Sequence, residues 1–308
     1  MFLGITLKLI IYKGVNKLDI IEEADKIIVK KLKDFEPEHI FECGQCFRWD
    51  LEEDGSYTGV AFGKVLNVKS EEDTIVFDNT NIDDFNNIWI EYFDLNTDYG
   101  KIKKDLNKGD EIMRAATDFG YGIRILQQDP WETLISFIIS ANNGIPRIKK
   151  SIRLLSENFG KHLGQYKGKD YYSFPEPKDI YNLSDDQLTA CGVGYRSKYI
   201  LNTAREVVDK GILLRDFRKL NSQDCFEALL KFDGVGPKVA NCILFFAMSK
   251  VDAFPVDVWV KRVMEHFYFK EDTSNKKIEA FGREKFNQYA GYAQQYLFYY
   301  ARETGIGK

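Results

Sequence analysis

Apolar and polar residues follow different patterns in two parts of the chain. In the first third, the segments 56–70 and 74–78 are rich in β-branched and aromatic residues and are separated by turn residues, which predicts antiparallel strands. Helix-like stretches such as 82–92 surround them. Farther along the chain, helical spacing dominates. The pattern predicts an α+β fold, with an N-terminal antiparallel-sheet domain that also carries helices over residues 1–115 and a mostly α-helical domain over residues 116–308.

Capping signals support the helical assignment of the second part. Residues 129–132 (Asp-Pro-Trp-Glu) supply a cap, a first-turn proline and a capping-box glutamate ahead of the apolar run 134–139. Ser184 with Gln187 repeats the capping-box pattern. The amphipathic segment 196–210 is followed by a glycine, which is typical of a helix end. These signals predict separate helices joined by short turns.

Composition narrows the class of protein. The chain is 44% hydrophobic and 14% aromatic, which is typical of a globular fold. Its five cysteines are too few and too scattered for a disulfide framework and indicate a reducing, intracellular environment. No apolar run approaches the roughly 20 residues that span a bilayer, so we expect a soluble protein without a membrane partner. Residues 1–16 lack the features of a signal peptide and are interpreted as a strand or a start-site artefact.

Charge is distributed unevenly along the chain. The net charge of −4 would by itself argue against a nucleic-acid partner. Residues 1–115 carry 15 basic and 24 acidic side chains, whereas residues 116–308 carry 28 basic and 23 acidic ones. A phosphate backbone requires a basic face rather than a basic protein. The asymmetry therefore favours nucleic-acid binding by the second part of the chain.

The segment 226–261 carries the most specific chemical signal. An apolar helix leads into Gly234, Val235 and Gly236, and a second apolar helix starts near Lys238. Two glycines around one apolar residue form a tight hairpin whose backbone N–H groups can hold a phosphate at the N-terminus of the second helix. Taken alone, the same pattern more often belongs to an ordinary turn with a glycine cap.

Two short motifs frame Lys238. Residues 234–240 (Gly-Val-Gly-Pro-Lys-Val-Ala) and 255–257 (Pro-Val-Asp) resemble the hairpin and the signature of the helix-hairpin-helix superfamily of base-excision DNA glycosylases. The resemblance makes Lys238 a nucleophile that attacks the sugar C1′, expels the base and forms a Schiff base, after which β-elimination cleaves the strand. The positive end of the helix dipole favours the neutral amine that this step requires. Asp257 would stabilise the positive charge on the sugar and assist proton transfers, although an aspartate here can also be a plain helix cap. Superfamily members that only hydrolyse the glycosidic bond lack this lysine, so Lys238 implies an added lyase activity.

Three further stretches, spread over about residues 40–300, resemble the 8-oxoguanine DNA glycosylase family. The first is 44–49 (Gly-Gln-Cys-Phe-Arg-Trp). In that family the glycine at the position of Gly44 offers its backbone carbonyl to the damaged base. 8-Oxoguanine has an N7–H donor where guanine has an acceptor, so a fixed carbonyl accepts from the lesion and repels the normal base. Without the resemblance, Gly44 would be interpreted as a β-bulge.

The second stretch, 289–298, supplies the walls of a base pocket. Gln294 and Phe298 share one helix face because they are four residues apart. The resemblance implies that Gln294 recognises the Watson–Crick edge of an extruded base, with Phe298 on one face of the base and Cys242 on the other. The sequence alone makes Phe298 and Cys242 ordinary core residues.

The third resemblance lies in two loops, one running from Asn142 to Arg147 and the other containing Tyr195 and Arg196. It implies that Arg147 and Arg196 donate hydrogen bonds to the orphaned cytosine. Asn142 would fill the space left by the lesion, and Tyr195 would wedge into the base stack and kink the duplex. The loops therefore predict a preference for 8-oxoguanine paired with cytosine.

Some positions depart from these patterns. Asp233 stands where the hairpin often has proline, and Trp259 stands where many relatives have a histidine that contacts a phosphate, so those two contacts are not carried over. Cys43 and Cys46 form a C-x-x-C pair without a second pair of metal ligands, and no cysteine follows Cys242. We therefore expect no zinc site, no iron–sulfur cluster and no cofactor.

The sequence thus predicts a monomeric, bifunctional DNA glycosylase and apurinic-site lyase that removes 8-oxoguanine opposite cytosine from double-stranded DNA. One alternative is a superfamily glycosylase for another damaged base, such as an alkylated purine, against which Lys238, Gly44 and Gln294 argue. The other is a non-catalytic helix-hairpin-helix protein that binds DNA, which would require neither Lys238 nor Asp257.

Overall fold

A computed structural model describes residues 6–10, by their backbone, and residues 18–306. The strands in these ranges are β1 (Thr6–Ile10), β2 (Leu18–Glu23), β3 (Lys26–Lys30), β4 (Trp49–Leu51), β5 (Tyr57–Ala61), β6 (Lys64–Glu71), β7 (Thr74–Asp78), β8 (His162–Tyr166) and β9 (Lys169–Tyr172). The strand expected within residues 1–16 is present as β1, and the remainder of that segment lies outside the described residues.

Seven of these strands form one antiparallel sheet in the order β1-β2-β3-β7-β6-β5-β4. Strands β5, β6 and β7 occupy the two segments for which strands are predicted, and the α+β fold is confirmed. Strands β2 and β3 were not predicted, although they place Ile20, Ile27 and Val29 in the core beneath the sheet. Phe77 and Trp89 complete that core from β7 and from the helical segment that follows it.

The α-helices of the described residues are α1 (Pro37–Phe41), α2 (Ile82–Asp84), α3 (Ile90–Tyr92), α4 (Tyr99–Leu106), α5 (Glu111–Phe119), α6 (Pro130–Ser140), α7 (Ile145–Phe159), α8 (Pro177–Tyr181), α9 (Asp185–Ala190), α10 (Ser197–Asp209), α11 (Ser222–Leu229), α12 (Pro237–Ala247), α13 (Val258–Met264), α14 (Asn275–Phe286) and α15 (Ala290–Thr304). A π-helical turn over Phe85–Trp89 joins α2 to α3, so the helix predicted for 82–92 is present with one widened turn.

The predicted helix caps are largely confirmed. The Asp129 carboxylate accepts from the Glu132 N–H at 2.9 Å at the start of α6, and Ser184 forms a full capping box with Gln187 at the start of α9. The capping-box role of Glu132 is wrong, because its carboxylate instead pairs with Arg48 at 3.4 Å. Helix α10 ends as predicted, with the following glycine in the left-handed region.

The helical part of the chain has its own hydrophobic core, separate from the one beneath the sheet. Helices α6 and α12 pack against each other within this core and are buried on nearly all sides. Helix α4 contributes Tyr99, Ile102 and Leu106 to this same core, while the domain boundary at residue 115 stays a prediction. The hairpin β8–β9 interrupts the helical part and was not predicted. No helix within residues 18–306 is both long enough and apolar enough to cross a bilayer.

Candidate active site

The hairpin between α11 and α12 brings a helix N-terminus to the protein surface. Gly234 has φ +78°, and a Cβ at this position would approach the Tyr199 ring to 2.8 Å, so both backbone and space require glycine. Val235 is buried beneath the turn, and its N–H donates to the Phe232 carbonyl at 3.2 Å. Gly236 is the N-cap of α12, and a Cβ added at this position would have no other atom within 4 Å. The hairpin therefore presents open backbone at the positive end of α12.

The two departures near this hairpin have defined partners. The Asp233 carboxylate accepts from the Asn202 side chain at 2.8 Å. The Trp259 ring lies under the Arg262 guanidinium, whose central carbon is 5.1 Å from the ring centroid. An aspartate at the hairpin is thus accommodated by a neighbouring amide, and a cation stands beside the position where relatives have a histidine.

Lys238 occupies the first turn of α12 and is half-buried. Its Nζ lies 5.4 Å from the centre of the Phe137 ring, which packs in from α6. Cys242, one turn farther along α12, is 4% exposed. Burial raises the pKa of the Cys242 thiol, and the neighbouring Lys238 opposes this change. Cys242 is therefore a neutral thiol that forms an apolar surface beside the amine.

Asp257 is the N-cap of α13. Its Oδ1 accepts from the N–H groups of Trp259 at 3.0 Å and Val260 at 2.8 Å. Burial raises the pKa of the Asp257 carboxyl, while the Val260 N–H and the positive charge of Lys238 act in the opposite direction. Capping thus holds the carboxylate in place, and its electrostatic environment already includes Lys238.

Gly44 and Phe298 meet although they lie near opposite ends of the chain. Gly44 belongs to the loop between α1 and β4, outside any strand, so its interpretation as a β-bulge is wrong. Its φ of +77° is left-handed, and a Cβ here would lie 3.1 Å from Cε1 of Phe298. Glycine is required by the backbone angle, and it allows the loop to lie against the aromatic ring.

The backbone carbonyls around Gly44 are occupied by side-chain donors that the sequence did not reveal. The hydrogen bonds are Arg302 Nη2 to Glu42 O, Gln295 Nε2 to Cys43 O at 2.6 Å, and Gln128 Nε2 to Gln45 O at 2.7 Å. Within the described residues, no hydrogen bond to the Gly44 carbonyl oxygen is found. This oxygen therefore keeps its acceptor capacity unused.

Gln294 lies on α15, one turn before Phe298. It is 4% exposed, and its Oε1 has no hydrogen-bond partner among the described residues. An unpaired buried amide oxygen costs about 1–3 kcal/mol, so a donor from a bound molecule would be favourable here. Phe298 itself is half-buried and leaves part of its ring exposed. Helix α15 thus carries an unpaired polar group and, one turn farther on, an aromatic ring that lies beside Gly44.

Asn142, Arg147 and Tyr195 are exposed, the first two between the end of α6 and the first turn of α7 and the third in the turn before α10. Asn142 follows α6 with φ +50°, Arg147 lies in the first turn of α7, and Tyr195 is 60% exposed. Arg196, by contrast, is 7% exposed. Its guanidinium donates to the carbonyl oxygens of Ala141, Asn142 and Val193 and lies 4.4 Å from the Tyr195 ring centre. Arg196 therefore ties the Asn142 loop to the Tyr195 turn.

A partly buried ion pair connects the sheet domain to α6. Arg48 contacts Glu132 and also donates to the Tyr172 carbonyl of β9. Burial raises the pKa of Glu132 to about 7, and the positive charge of Arg48 opposes this increase. The sequence pattern predicted only a local capping role for Glu132, because nothing in its spacing relates it to Arg48.

The C-x-x-C pair is buried. The Cys43 and Cys46 thiols donate to the carbonyl oxygens of Ile40 at 3.3 Å and Phe41 at 3.9 Å. Burial raises the pKa of Cys43 to about 12. Both sulfurs are therefore protonated side chains that pack beneath the Gly44 loop.

Comparison with known proteins gives the same assignment in both halves of the chain. The family model for the N-terminal domain of 8-oxoguanine DNA glycosylase matches residues 27–134, and that for the HhH-GPD superfamily of base excision DNA repair proteins matches residues 135–288. A probable N-glycosylase/DNA lyase of Methanothermobacter thermautotrophicus is 34% identical over 238 residues, which cover 70% of this chain and 75% of that protein. The N-glycosylase/DNA lyase OGG1 of Arabidopsis thaliana is 30% identical over 276 residues, which cover 84% of this chain and 75% of that protein.

Solved structures resemble the fold over nearly its whole length. The 8-oxoguanine glycosylase/lyase of Clostridium acetobutylicum, in complex with double-stranded DNA containing cytosine opposite 8-oxoguanine, is 49% identical with a TM-score of 0.90. The match covers 93% of this chain and 98% of that one. A 3-methyladenine DNA glycosylase from Archaeoglobus fulgidus, at 22% identity and a TM-score of 0.73, shares the fold. The chain therefore belongs to the 8-oxoguanine DNA glycosylase/lyase family of the HhH-GPD superfamily of base-excision repair proteins.

Proposed function

We propose that this protein excises 8-oxoguanine paired with cytosine from double-stranded DNA and then cleaves the strand, with Lys238 as the nucleophile. The observation that carries the proposal is the half-buried amine of Lys238 in the first turn of α12, near the carboxylate of Asp257. The substrate follows from the neighbouring Gly44 loop, and the Clostridium acetobutylicum relative was solved with the same lesion and opposite base.

Base recognition is assigned to four groups that come from three parts of the chain, the Gly44 loop, α12 and α15. The free carbonyl oxygen of Gly44 accepts from the N7–H of 8-oxoguanine, whereas it would face a lone pair on guanine. The ring of Phe298 stacks on the extruded base, and Cys242 forms the opposite surface. The unpaired amide oxygen of Gln294 accepts a hydrogen bond from the Watson–Crick edge of the base.

The chemical step uses the amine and the carboxylate together. The lone pair of Lys238 Nζ forms a bond to C1′ while the glycosidic bond breaks and its electron pair leaves with the base, which takes up a proton. The Asp257 carboxylate stabilises the positive charge that develops on the sugar ring. Ring opening then gives a Schiff base between Nζ and C1′. Loss of a C2′ proton expels the 3′ phosphate, and hydrolysis of the imine releases the lysine.

Duplex contacts are assigned to the two loops and to the hairpin. Arg147 donates to the orphaned cytosine, while Tyr195 enters the base stack and Asn142 fills the vacated space. Arg196 joins Arg147 at the cytosine; in the DNA-free protein its guanidinium already orders the loop that bears Asn142. The backbone of 234–236 binds a phosphate at the N-terminus of α12.

The test is sodium borohydride trapping on duplexes that carry 8-oxoguanine opposite each of the four bases. We expect a covalent protein–DNA adduct that is strongest opposite cytosine and absent for Lys238→Gln, which should still bind the lesion duplex. Lys276→Gln, at an exposed position of α14, is the matched control and should trap like the wild type. An adduct formed at the full rate by Lys238→Gln would overturn the nucleophile. DNA binding without any adduct from the wild type would leave a non-catalytic binding protein or a glycosylase that only hydrolyses the glycosidic bond, and would overturn the role of Lys238.

A further inference from the structure

The Gly44 loop poses a structural problem that glycine alone does not solve. Discrimination between an N7–H donor and an N7 acceptor requires a carbonyl that cannot rotate away and present an N–H in its place. Glycine is the residue whose backbone is freest to make that rotation. A base pocket that relies on the Gly44 carbonyl therefore needs other groups to fix the peptide planes around it.

Helix α15 supplies two of these groups. Gln295 and Arg302 are seven residues apart, about two helical turns, and so project from the same side of the helix. Gln295 is 2% exposed and donates to Cys43 O at 2.6 Å, and Arg302 donates to Glu42 O. These are the two carbonyl oxygens that directly precede Gly44 in the chain.

Arg302 also contacts the aromatic wall of the same pocket. Its guanidinium carbon lies 5.3 Å from the centre of the Phe298 ring, and Nη1 lies 3.4 Å from the position of a Cβ on Gly44. The Glu303 carboxylate accepts from Arg302 Nε at 2.7 Å and fixes the orientation of the guanidinium. One side chain therefore sets the distance between the base-stacking ring and the loop.

The opposite side of the loop is fixed independently of α15. The Gln45 side chain donates to the carbonyls of Ile40 at 2.9 Å and Arg124 at 2.8 Å and accepts from the Leu126 N–H at 2.9 Å. Gly44 thus lies between a residue whose side chain is anchored in the sheet domain and two peptide carbonyls held by α15. Loss of the contacts from α15 would free the loop on one side without removing its anchor on the other.

We infer that Gln295 and Arg302 are positioning residues that determine the preference for 8-oxoguanine over guanine by holding the Gly44 carbonyl towards the base. The inference rests on the proposed role of Gly44 in base recognition. Neither side chain needs to touch the substrate, since both act through the backbone that precedes Gly44. Cleavage of a site that has already lost its base depends on Lys238 but not on Gly44, so it should not require either residue.

The experiment compares two activities of the same variants. Gln295→Met and Arg302→Met keep the side-chain length and remove the donors, while Arg302→Lys restores one cationic donor. We measure single-turnover excision of 8-oxoguanine opposite cytosine, and strand cleavage at a preformed apurinic site in the same duplex. Each Met variant should lose about tenfold in excision, the effect of one lost hydrogen bond, and stay within about twofold of the wild type at the apurinic site. Arg302→Lys should recover part of the excision rate.

A second measurement tests discrimination directly. In the Lys238→Gln background, either Met substitution should reduce the ratio of affinities for 8-oxoguanine and guanine duplexes by about tenfold. Gln288→Met, at an exposed position before α15, is the matched control. It should change neither this ratio of affinities nor the ratio of excision to apurinic-site cleavage.

Equal losses of excision and apurinic-site cleavage would show a merely structural role and overturn the inference. An unchanged ratio of affinities for 8-oxoguanine and guanine duplexes would also overturn it. If one Met variant does not fold, the other decides, because each removes a different carbonyl contact. A wild-type protein that forms no borohydride adduct would instead refute the proposed function and this inference with it.

Discussion

Replacement of Gly44 by alanine tests the base pocket most directly. An alanine at φ +77° is in the left-handed region, which costs about 1–2 kcal/mol for a residue with a Cβ. The new methyl group would also lie 3.1 and 3.3 Å from Cε1 and Cζ of Phe298 and 3.4 Å from Nη1 of Arg302. The aromatic ring must therefore move by a few tenths of an ångström, or the loop must move away from it.

Gly55→Ala separates the two effects. Gly55 has φ +79°, nearly that of Gly44, and a Cβ there would have nothing within 4 Å. Both variants should lower the free energy of unfolding by about 1–2 kcal/mol, from the backbone angle alone. Only Gly44→Ala should displace the carbonyl and the Phe298 ring, with a loss of 8-oxoguanine excision of at least about tenfold.

The assay pairs single-turnover excision of 8-oxoguanine with strand cleavage at a preformed apurinic site. Gly44→Ala should retain the second activity, because Lys238 lies on α12 and does not depend on this loop. Wild-type excision by Gly44→Ala would refute the assignment of the Gly44 carbonyl to base recognition. An equal loss of excision in Gly55→Ala would show that activity follows stability rather than the pocket.

Three further changes should have separable effects. Asp257→Asn keeps a side-chain oxygen for the helix cap, so the free energy of unfolding should change by less than about 1 kcal/mol. Base excision should fall at least about a hundredfold, because the carboxylate charge is lost. Excision at the wild-type rate would exclude charge stabilisation by this group. Glu132 has a raised pKa of about 7 against an ordinary 4.5, so the folded protein binds this proton more tightly than the unfolded chain. Its contribution to stability is therefore complete below pH 4.5 and is lost as the pH rises towards 7, by at most about 3 kcal/mol, and Glu132→Gln should flatten this part of a plot of unfolding free energy against pH. Arg147→Ala should reduce the preference for cytosine over adenine opposite the lesion by about tenfold in excision assays, whereas Arg153→Ala, exposed on the same helix, should leave it unchanged.

Local signals predicted much of the fold and the helix starts at which the proposed reacting groups lie. The Asp129 and Ser184 caps, the hairpin before α12 and the position of Asp257 at a helix start all depend on residues within a few positions of one another. Such interactions are fixed by backbone geometry, so their spacing in the sequence is sufficient to identify them. The resemblance to a family then assigned the chemistry to those positions.

Contacts between distant residues could not be predicted in this way. Glu132 has the spacing of a capping-box residue, but its carboxylate pairs with the guanidinium of Arg48 instead of accepting from the backbone N–H at the helix start. Gln295 stands next to Gln294, and no periodicity distinguishes the amide that faces the loop from the one left unpaired. The hairpin β8–β9 turns at Lys167 and Gly168, and a lysine with positive φ gives a weak turn signal.

The contact between Gly44 and Phe298 also determines when the pocket can form. The hydrogen bond from Gln295 to Cys43 joins residues 252 positions apart, so the Gly44 loop is synthesised long before its partner helix. Lys238 and Asp257 precede α15 in the chain, so the proposed nucleophile is synthesised before the helix to which we assign lesion recognition. High sequence separation of this kind slows folding, and it places the closure of the base pocket among the last events of synthesis.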